Sequence, residues 1–469
     1  MKRYYKSVLA CLALVLASSC ATYYQSNIAF NEGFERGDLK SSLKTLREKP
    51  SEGAGKKQFL YFANNGLLLS LLGEYQESNQ YFEKAYEFGE DYRINYVNEA
   101  ATYLTNPNFA VYRGEDHEHL LLLYYKAMNY LKLHKTDDAL VECRRLNIRL
   151  QQLSDRYSSE DKYRTDAFIH TLMGIIYEAD SDYNNAFIAY RNAVEVYDQD
   201  FMRLFQVGAP EQLKKDLLRA AFHSGLDDEF EHYKTQFGMT DYVVQENPGG
   251  ELVFFWHNGL GPIKTEWSVE FAISERGGQV FFSNENLGVN YAFSSSDYSS
   301  SQIKSLTNMQ VYRLTLPKYV DRPVYYTNGV LTTSGVSRPV QLLEDVSKVA
   351  FKCLDERMNL ELSKALIRLA VKKASEQQIR KKDYRFGALM GIVNAITEKA
   401  DTRNWQTLPH NIYYARIPLD VGTSQVNFQT TDYQGRQQEQ TFTYDVKKGE
   451  THFHTLTSLE SLRNYGGYN

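Results

Sequence analysis

The stretch Met173-Gly174-Ile175-Ile176-Tyr177, followed by Asp182-Tyr183 and then by Ala186, Tyr190 and Ala193, decides the fold of the first half of the chain. Apolar and small residues recur at helical spacing on both sides of a polar break, which predicts two helices joined by a short turn. Gly174 and Ala186 stand twelve positions apart, where two antiparallel helices must approach closely. Tyr177 and Tyr190 are expected to fill the space beside these small residues.

The same twelve-residue offset recurs elsewhere in this half of the chain. It joins Gly66 to Ser78 and Ala127 to Ala139, and a weaker copy begins at Leu218. Residues 24–48 form one more degenerate pair. The pattern L-G-x-x-Y, then A-x-x-x-F, then A is that of the tetratricopeptide repeat (TPR), so the sequence predicts TPR-like helical pairs. The residues predicted to pack these pairs are Gly66, Phe82, Ala85, Ala127, Ala139, Gly174, Tyr177, Ala186, Tyr190 and Ala193.

The spacing between copies is irregular. Successive copies begin 61, 47 and 44 positions apart, so extra helices such as 92–104 are expected between them. A single helical pair cannot bury its apolar face alone, and stacking the pairs creates a continuous core and a concave surface. Residues 20–240 are therefore predicted to form an irregular α-solenoid.

The N-terminus has the pattern of an export signal. Three basic residues within the first six precede a short apolar run, 8–17, and then Ala17-Ser18-Ser19-Cys20. The run is too short to span a bilayer of about 30 Å. The segment resembles the bacterial lipobox, although Ala17 stands where Leu is commonest. This resemblance implies a signal peptide over 1–19 and a lipid on Cys20, whose acyl chains would anchor the protein in a membrane. An ordinary secretory signal is the alternative.

The residues after Cys20 bear on the location. Ala21 is not the Asp that retains lipoproteins in the inner membrane of enterobacteria, and no acidic run of the surface-export type follows. We therefore expect a lipid-anchored protein on the outer membrane, facing the periplasm. Cleavage removes three basic residues and no acid, so the net charge falls from −5 to −8. That acidity argues against nucleic acid as a partner.

Two cysteines remain besides Cys20 in the mature chain. Cys143 and Cys353 stand in apolar helical surroundings more than 200 positions apart. Two buried thiols are expected, and a disulfide is the alternative.

The second half of the chain reads as β structure. At Tyr242 the apolar period changes from 3.6 to 2, and 252–256 is a strand that ends at a turn over His257-Asn258-Gly259. Short alternating runs with turns between them predict a β-sandwich. The other predicted strands are 265–273, 311–316, 323–327, 412–419, 424–430, 440–446 and 451–456.

Helical patterns interrupt this β region. They cover 340–355, 359–376 and 385–399, each with one apolar face. Packing on the sandwich or the solenoid is expected, and a membrane-lying role for the basic second helix is the alternative. The fold class is therefore multi-domain α+β, a TPR-like α-solenoid followed by a β-sandwich with a helical insertion. The predicted boundaries are 1–19 for the signal peptide, 20–240 for the repeats, 241–338 and 404–469 for the sandwich, and 339–403 for the insertion.

A polar cluster in the helical half is a candidate binding site. Glu115 and Glu118 precede an apolar helix, and Glu142 and Arg145 follow on the next one. The simplest interpretation is a glycine turn, with acids favouring the dipole at a helix N-terminus. The alternative is that the four side chains meet in the helical groove and hold a ligand. His117 and His119 flank Glu118, but no third ligand is spaced for a metal.

Three motifs carry a resemblance to a known family. Gly250-Glu251-Leu252-Val253, Asn258-Gly259-Leu260-Gly261-Pro262-Ile263-Lys264 and 400–409 are similar to motifs of a family of bacterial tetratricopeptide lipoproteins without an assigned reaction. This resemblance implies a role in envelope or peptidoglycan maintenance. Within the last motif, Asp401 and Arg403 are expected to form an ion pair with Trp405 packed over it, and a binding role for all three is the alternative.

Catalytic motifs do not stand out. The sequence has no G-x-S-x-G, H-E-x-x-H or P-loop pattern, so we expect no enzyme activity, no cofactor and no metal. A scaffold that binds another envelope protein is the favoured function. The alternatives are a glycan-binding outer-membrane lipoprotein, which would resemble the helical-repeat sugar-capture proteins of gut and marine bacteria, and a cell-wall hydrolase.

Overall fold

A computed structural model describes residues 21–91, 110–156, 163–244, 249–286, 288–294, 311–358, 361–362, 365 and 399–462. The predicted signal peptide, Cys20, helix 92–104 and nearly all of helices 359–376 and 385–399 lie outside these residues. No described helix combines the length and the apolar character that a membrane span needs. The helices are α1 Tyr23–Ser26, α2 Ile28–Glu35, α3 Leu39–Arg47, α4 Gln58–Leu71, α5 Tyr75–Asp91, α6 Asp116–Lys132, α7 Thr136–Arg156, α8 Ala167–Ala179, α9 Tyr183–Val196, α10 Met202–Phe205, α11 Glu211–His223, α12 Asp227–Gln236 and α13 346–358.

Helices α2 to α12 pack mainly as antiparallel pairs, α2–α3, α4–α5, α6–α7, α8–α9 and α11–α12. A Cβ on Gly66 of α4 would lie 2.6 Å from the ring of Phe82 in α5, so only glycine allows this approach. Gly174 of α8 has the same relation to Tyr190 of α9, at 2.4 Å. Tyr177 is partly buried beside this contact, and the remaining small packing residues, Ala85, Ala127, Ala139, Ala186 and Ala193, are fully buried.

Within the described residues, twelve strands follow in three four-stranded sheets. The first sheet has the order β12-β1-β9-β8, the second β11-β10-β6-β7 and the third β4-β3-β2-β5. Strands β1 and β12 are parallel, and the other pairs are antiparallel. The strands are β1 Gly250–Leu260, β2 Ile263–Arg276, β3 Gln279–Asn284, β4 Val289–Ser294, β5 Val311–Val320, β6 Tyr326–Thr333, β7 Val336–Pro339, β8 Gln341–Asp345, β9 Pro409–Leu419, β10 Gly422–Asp432, β11 Gln437–Val446 and β12 Thr451–Ser458.

The first sheet is a middle layer between the helices and the second sheet. Successive side chains of a strand point to opposite faces. On β1, Phe254 and Trp256 join the core shared with the second sheet, whereas Val253 and Phe255 join the core of the helices. The helical half and the first sheet therefore share one continuous hydrophobic core. The α+β class holds, but there are three sheets, and the first one packs against the solenoid as well as against a second sheet.

Several sequence predictions about element bounds are wrong. Residues 341–345 form β8, so helix α13 begins at residue 346 and not at 340. Strand β1 continues through the expected turn to Leu260, because the buried Asn258 side chain donates to the Tyr326 carbonyl at 2.8 Å and Gly259 adopts a φ of 71° within the strand. The strand expected at 323–327 begins only at Tyr326 and runs to Thr333, and the one expected to end at 273 continues to Arg276.

Candidate functional site

The candidate residues lie where the N-terminus of α6 meets residues 400–407, which lead into β9. Glu118 is the third residue of α6, and its carboxylate accepts from the Glu115 backbone N–H at 3.0 Å, which is one half of a capping box. The same carboxylate accepts from the backbone N–H of Trp405 at 2.6 Å and from the hydroxyl of Tyr112 at 2.8 Å. Glu118 is buried, and it therefore fastens a helix start to a segment almost 290 positions away.

Glu115 is the centre of an ion cluster beside Glu118. Its carboxylate accepts from Lys264 Nζ at 2.7 Å, and Arg357 of α13 contacts its second oxygen. Burial favours the neutral acid, but the charges of Arg357 and Lys264 outweigh it and hold the pKa of Glu115 well below its ordinary value. Three separate parts of the chain, α6, β2 and α13, are joined through this one carboxylate.

Asp401 and Arg403 form the ion pair expected from the sequence. Arg403 Nη2 lies 2.6 Å from Asp401 Oδ2, and Arg403 Nη1 donates to the Ala110 carbonyl at 2.8 Å. The guanidinium lies 5.3 Å from the ring centre of Tyr112, which also donates to Glu118. Two candidate groups that are separate motifs in the sequence therefore form one site. The first is Glu115 with Glu118, and the second is Asp401 with Arg403 and Trp405.

Trp405 is buried against helices α4, α5 and α6. It is 1 % exposed, and its ring lies 6.5, 6.1 and 6.2 Å from those of Phe59, Phe82 and Tyr125. Thr407 adds a second contact with α4, since its hydroxyl donates to Asn64 Oδ1 at 2.7 Å. Trp405 is thus held by both helices of the α4–α5 pair and by α6.

Glu142 and Arg145 belong to a different network, so the alternative in which all four side chains meet in one cluster is wrong. Glu142 pairs with the buried Lys126 at 3.0 Å, and Arg145 pairs with Glu83 at 2.8 Å. Lys126 also contacts Glu83. Lys126 follows Glu118 by eight residues of α6, about 12 Å along the helix. This second network ties α5, α6 and α7 together within the repeats.

A third network of charges was missed by the sequence analysis. Arg416 of β9 lies 2.6 Å from Glu178 of α8 and 3.3 Å from Asp216 of α11, and Arg219 lies 2.6 Å from the same Glu178. Tyr414 donates to Asp216 at 2.7 Å. Burial opposes the charged form of Glu178, but Arg219 and Arg416 outweigh it and lower its pKa to about 2. Arg416 and Tyr414 lie about 200 positions or more from Glu178 and Asp216, so no local pattern in the sequence indicates these contacts.

The first helix of every pair from α4 onward faces the chain's own β region. Asn64 of α4 accepts a hydrogen bond from Thr407, as described above. The Tyr124 hydroxyl of α6 lies 2.6 Å from His257 Nε2 of β1. Helices α8 and α11 contact Arg416. The surface on which a solenoid commonly holds a partner is therefore covered by residues 400–419 and β1. The candidate side chains have partners within the chain, and a ligand-binding role for them stays a prediction.

The described residues form no metal site, and the two described cysteines are buried. Within the part of the chain that the structure describes, no cluster of three or more His, Cys, Asp or Glu side chains could hold a metal ion. Cys143 and Cys353 are both free and buried, as expected from the sequence. Burial raises the pKa of the Cys143 thiol to about 12, so this side chain acts as a small apolar group.

The acid at the centre of the site makes stability depend on pH. Burial, followed by the charge of Glu115, raises the pKa of Glu118 from 4.5 to about 7 against three hydrogen bonds that oppose the shift. Below pH 4.5 the carboxyl is protonated in both folded and unfolded chains, and its stabilising contribution is fully present. The contribution is lost as the pH rises to about 7, because the folded chain alone retains the proton in that interval.

We therefore expect Glu118→Gln to flatten the decline in stability between pH 4.5 and 7, while lowering stability at every pH through one unmatched hydrogen bond, by about 1–3 kcal/mol. Urea unfolding at several pH values measures both effects. Glu77→Gln, at an exposed helical position, is the matched control. Parallel pH profiles for wild type and Glu118→Gln would contradict the assignment.

The geometry defines a class of protein, a stack of TPR-like helical pairs whose inner surface is covered by the chain's own β region.

No protein-family profile matches the sequence, and no curated protein matches it. Solved structures of helical repeat proteins are similar to its helical half. BtubC from P. vanneervenii is 13 % identical over 46 % of this chain and 80 % of its own, with a TM-score of 0.31. MamA from Desulfovibrio magneticus RS-1 is 16 % identical over 45 % and 90 %, with a TM-score of 0.29. A tetratricopeptide repeat protein from Parabacteroides merdae is 13 % identical over 47 % and 81 %, with a TM-score of 0.20.

Proposed function

We propose that this protein is a protein-binding scaffold of the bacterial cell envelope, anchored to the outer membrane through a lipid on Cys20 and facing the periplasm. The observation that supports binding is the stack of helical pairs, an architecture that offers long, continuous surfaces to partners. Because fold alone does not define function, the support must come from particular surfaces. The envelope role rests on the N-terminal pattern and on the motifs at 250–264 and 400–409.

The inner surface of the repeats is covered, so a partner would bind elsewhere. The second helices of the pairs lie on the outer side, and α7 presents two large apolar residues there. Val141 and Ile148 are 36 % and 56 % exposed and stand two turns apart on one helical face. An exposed apolar pair of this kind on a helix is a feature of partner-binding surfaces.

The partner is tested in cells with the full chain. Deleting residues 20–240 would be uninformative, because the repeats share their core with the first sheet and the remainder would not fold. A photo-crosslinking amino acid at position 148 is expected to capture a specific envelope protein, and Ile148→Asp is expected to abolish the co-purification of that protein. Val421→Asp, in a 61 % exposed turn outside the repeats, is the matched control. Co-purification that is unchanged by Ile148→Asp would remove this surface from the proposal.

The anchor has a separate test. Cells fed an alkyne-bearing fatty acid are expected to label the wild-type protein, and Cys20→Ala is expected to abolish the label and to release the protein from the membrane fraction, because acyl chains supply the binding to the bilayer. Cys353→Ala, at a buried thiol, is the control and should keep the label. Persistent labelling of Cys20→Ala would refute lipidation at this residue.

A further inference from the structure

A cavity of about 220 Å³ opens between the turns of two helical pairs and strand β12. Tyr75, Lys132 and His134, at the turns of two helical pairs, form one wall. Residues 452–455 of β12 form the other wall. The cavity is thus bounded on one side by helix ends and on the other by a strand.

Lys132 is the main cationic group of this cavity. It is half-buried, donates to the Thr455 hydroxyl and lies 5.0 Å from the ring centre of Tyr75. No carboxylate among the described residues lies within ion-pair distance of it. Burial lowers the pKa of Lys132 to about 8, so the ammonium form still prevails at neutral pH. A half-buried ammonium without an anionic partner favours an anion from outside the chain.

The other titratable groups around Lys132 add little negative charge. Burial, followed by the charge of Lys132, lowers the pKa of His454 to about 4 and that of His257 on β1 to about 3, so both are neutral at pH 7. Glu450 precedes β12, and its carboxylate accepts from the Lys447 backbone N–H at 3.0 Å and lies 3.4 Å from His452 Nε2. His134 is exposed at the helical turn. The cavity therefore presents donors and positive charge to a ligand.

Strand β12 supplies a second recognition element. It pairs with β1 along one side, and no other described strand pairs with it, so it is an edge of the first sheet. All eight of its residues are half-exposed. An edge strand offers unpaired N–H and C=O groups to an extended peptide, and side-chain pockets beside it give the specificity.

We propose that this cavity binds an extended acidic peptide of a partner protein, which pairs with the free edge of β12 and places a carboxylate on Lys132. The inference deepens the proposed scaffold function and rests on it in requiring a protein partner. Its surface is distinct from Val141 and Ile148 on α7. The two ideas can therefore fail separately, since partner capture at position 148 does not depend on Lys132.

The test uses the full mature chain and an array of ten-residue peptides with alternating β-branched and polar residues. Half of the peptides end in Glu with a free carboxylate, and half end in Gln with an amide. We expect wild type to retain the acidic peptides at least tenfold more strongly and Lys132→Met to lose this preference. Lys84→Met is the matched control, since Lys84 also lies 5.0 Å from a tyrosine ring but outside the cavity. Equal retention of both peptide sets by wild type, or an undiminished preference in Lys132→Met, would overturn the proposal.

A pH series on wild type and Lys132→Arg separates the loss of the Lys132 charge from a loss of folding in Lys132→Met. Wild type is expected to lose the acidic preference as the pH rises through about 8, because Lys132 then loses its proton. Lys132→Arg stays charged and is expected to keep the preference at pH 9. The same loss in both proteins would show that another group binds the carboxylate and would likewise overturn the assignment. Self-association of the chain through β12, detected as a dimer that Lys132→Met leaves intact, would also contradict it.

Discussion

Replacing Arg416 with Met is expected to lower the free energy of unfolding by about 3 kcal/mol, because it leaves buried acids without a shared cation. Asp216 has no exposed surface, and Glu178 is 9 % exposed. Arg219 remains beside both acids, which limits the loss. The effect is large because the missing charge lies between two layers, where water cannot replace it.

Urea unfolding followed by circular dichroism measures this effect. Arg36→Met is the matched control, because Arg36 pairs with Glu32 at 3.7 Å on the surface and is 70 % exposed. Exposed pairs contribute no more than about 1 kcal/mol. Equal stabilities of Arg416→Met and wild type would show that the network does not fasten β9 to the repeats.

Replacing Trp405 with Ala is expected to be at least as severe, with a loss of about 3–5 kcal/mol. Trp405 fills a space between α4, α5 and α6, so its removal would leave a cavity lined by Phe59, Phe82 and Tyr125. Trp405→Phe should cost much less. The indole Nε1 has no hydrogen-bond partner among the described residues, so this variant loses volume alone.

Thermal unfolding of wild type, Trp405→Ala and Trp405→Phe measures these losses of stability. Trp267→Phe is the control, because Trp267 is half-buried and packs against the core of the third sheet. A Trp405→Ala protein that unfolds at the wild-type temperature would mean that residues 400–407 lie on the repeats without stabilising them.

Local patterns were sufficient for much of the fold. The helical pairs could be predicted because Gly174 and Ala186 reveal a close approach within one short stretch of sequence. The strands predicted at 424–430, 440–446 and 451–456 likewise correspond to β10, β11 and β12. Strand β8 could not be predicted, because the apolar residues around Leu342 and Leu343 fit a helix equally well and only pairing with β9 selects the strand.

The site could be predicted only in part. Each motif was visible by itself, including the Asp401–Arg403 pair. The contact between Glu118 and Trp405 could not be foreseen, because nothing local relates residues 287 positions apart. The same holds for Arg416 and its acids. Knowledge of which face of the repeats is covered comes only from the tertiary structure, and it changes where a partner must be sought.

The repeats and the first sheet share one hydrophobic core, so we expect them to form one folding unit. All three tryptophans, Trp256, Trp267 and Trp405, lie in the β half, whereas the described helices lie mostly in the other half. Tryptophan fluorescence and circular dichroism at 222 nm therefore report on different halves of the same chain during urea unfolding. If the two halves unfold as one unit, the fluorescence and circular dichroism transitions are expected to coincide in midpoint and steepness. A helical signal that persists after the tryptophan signal has changed would contradict it.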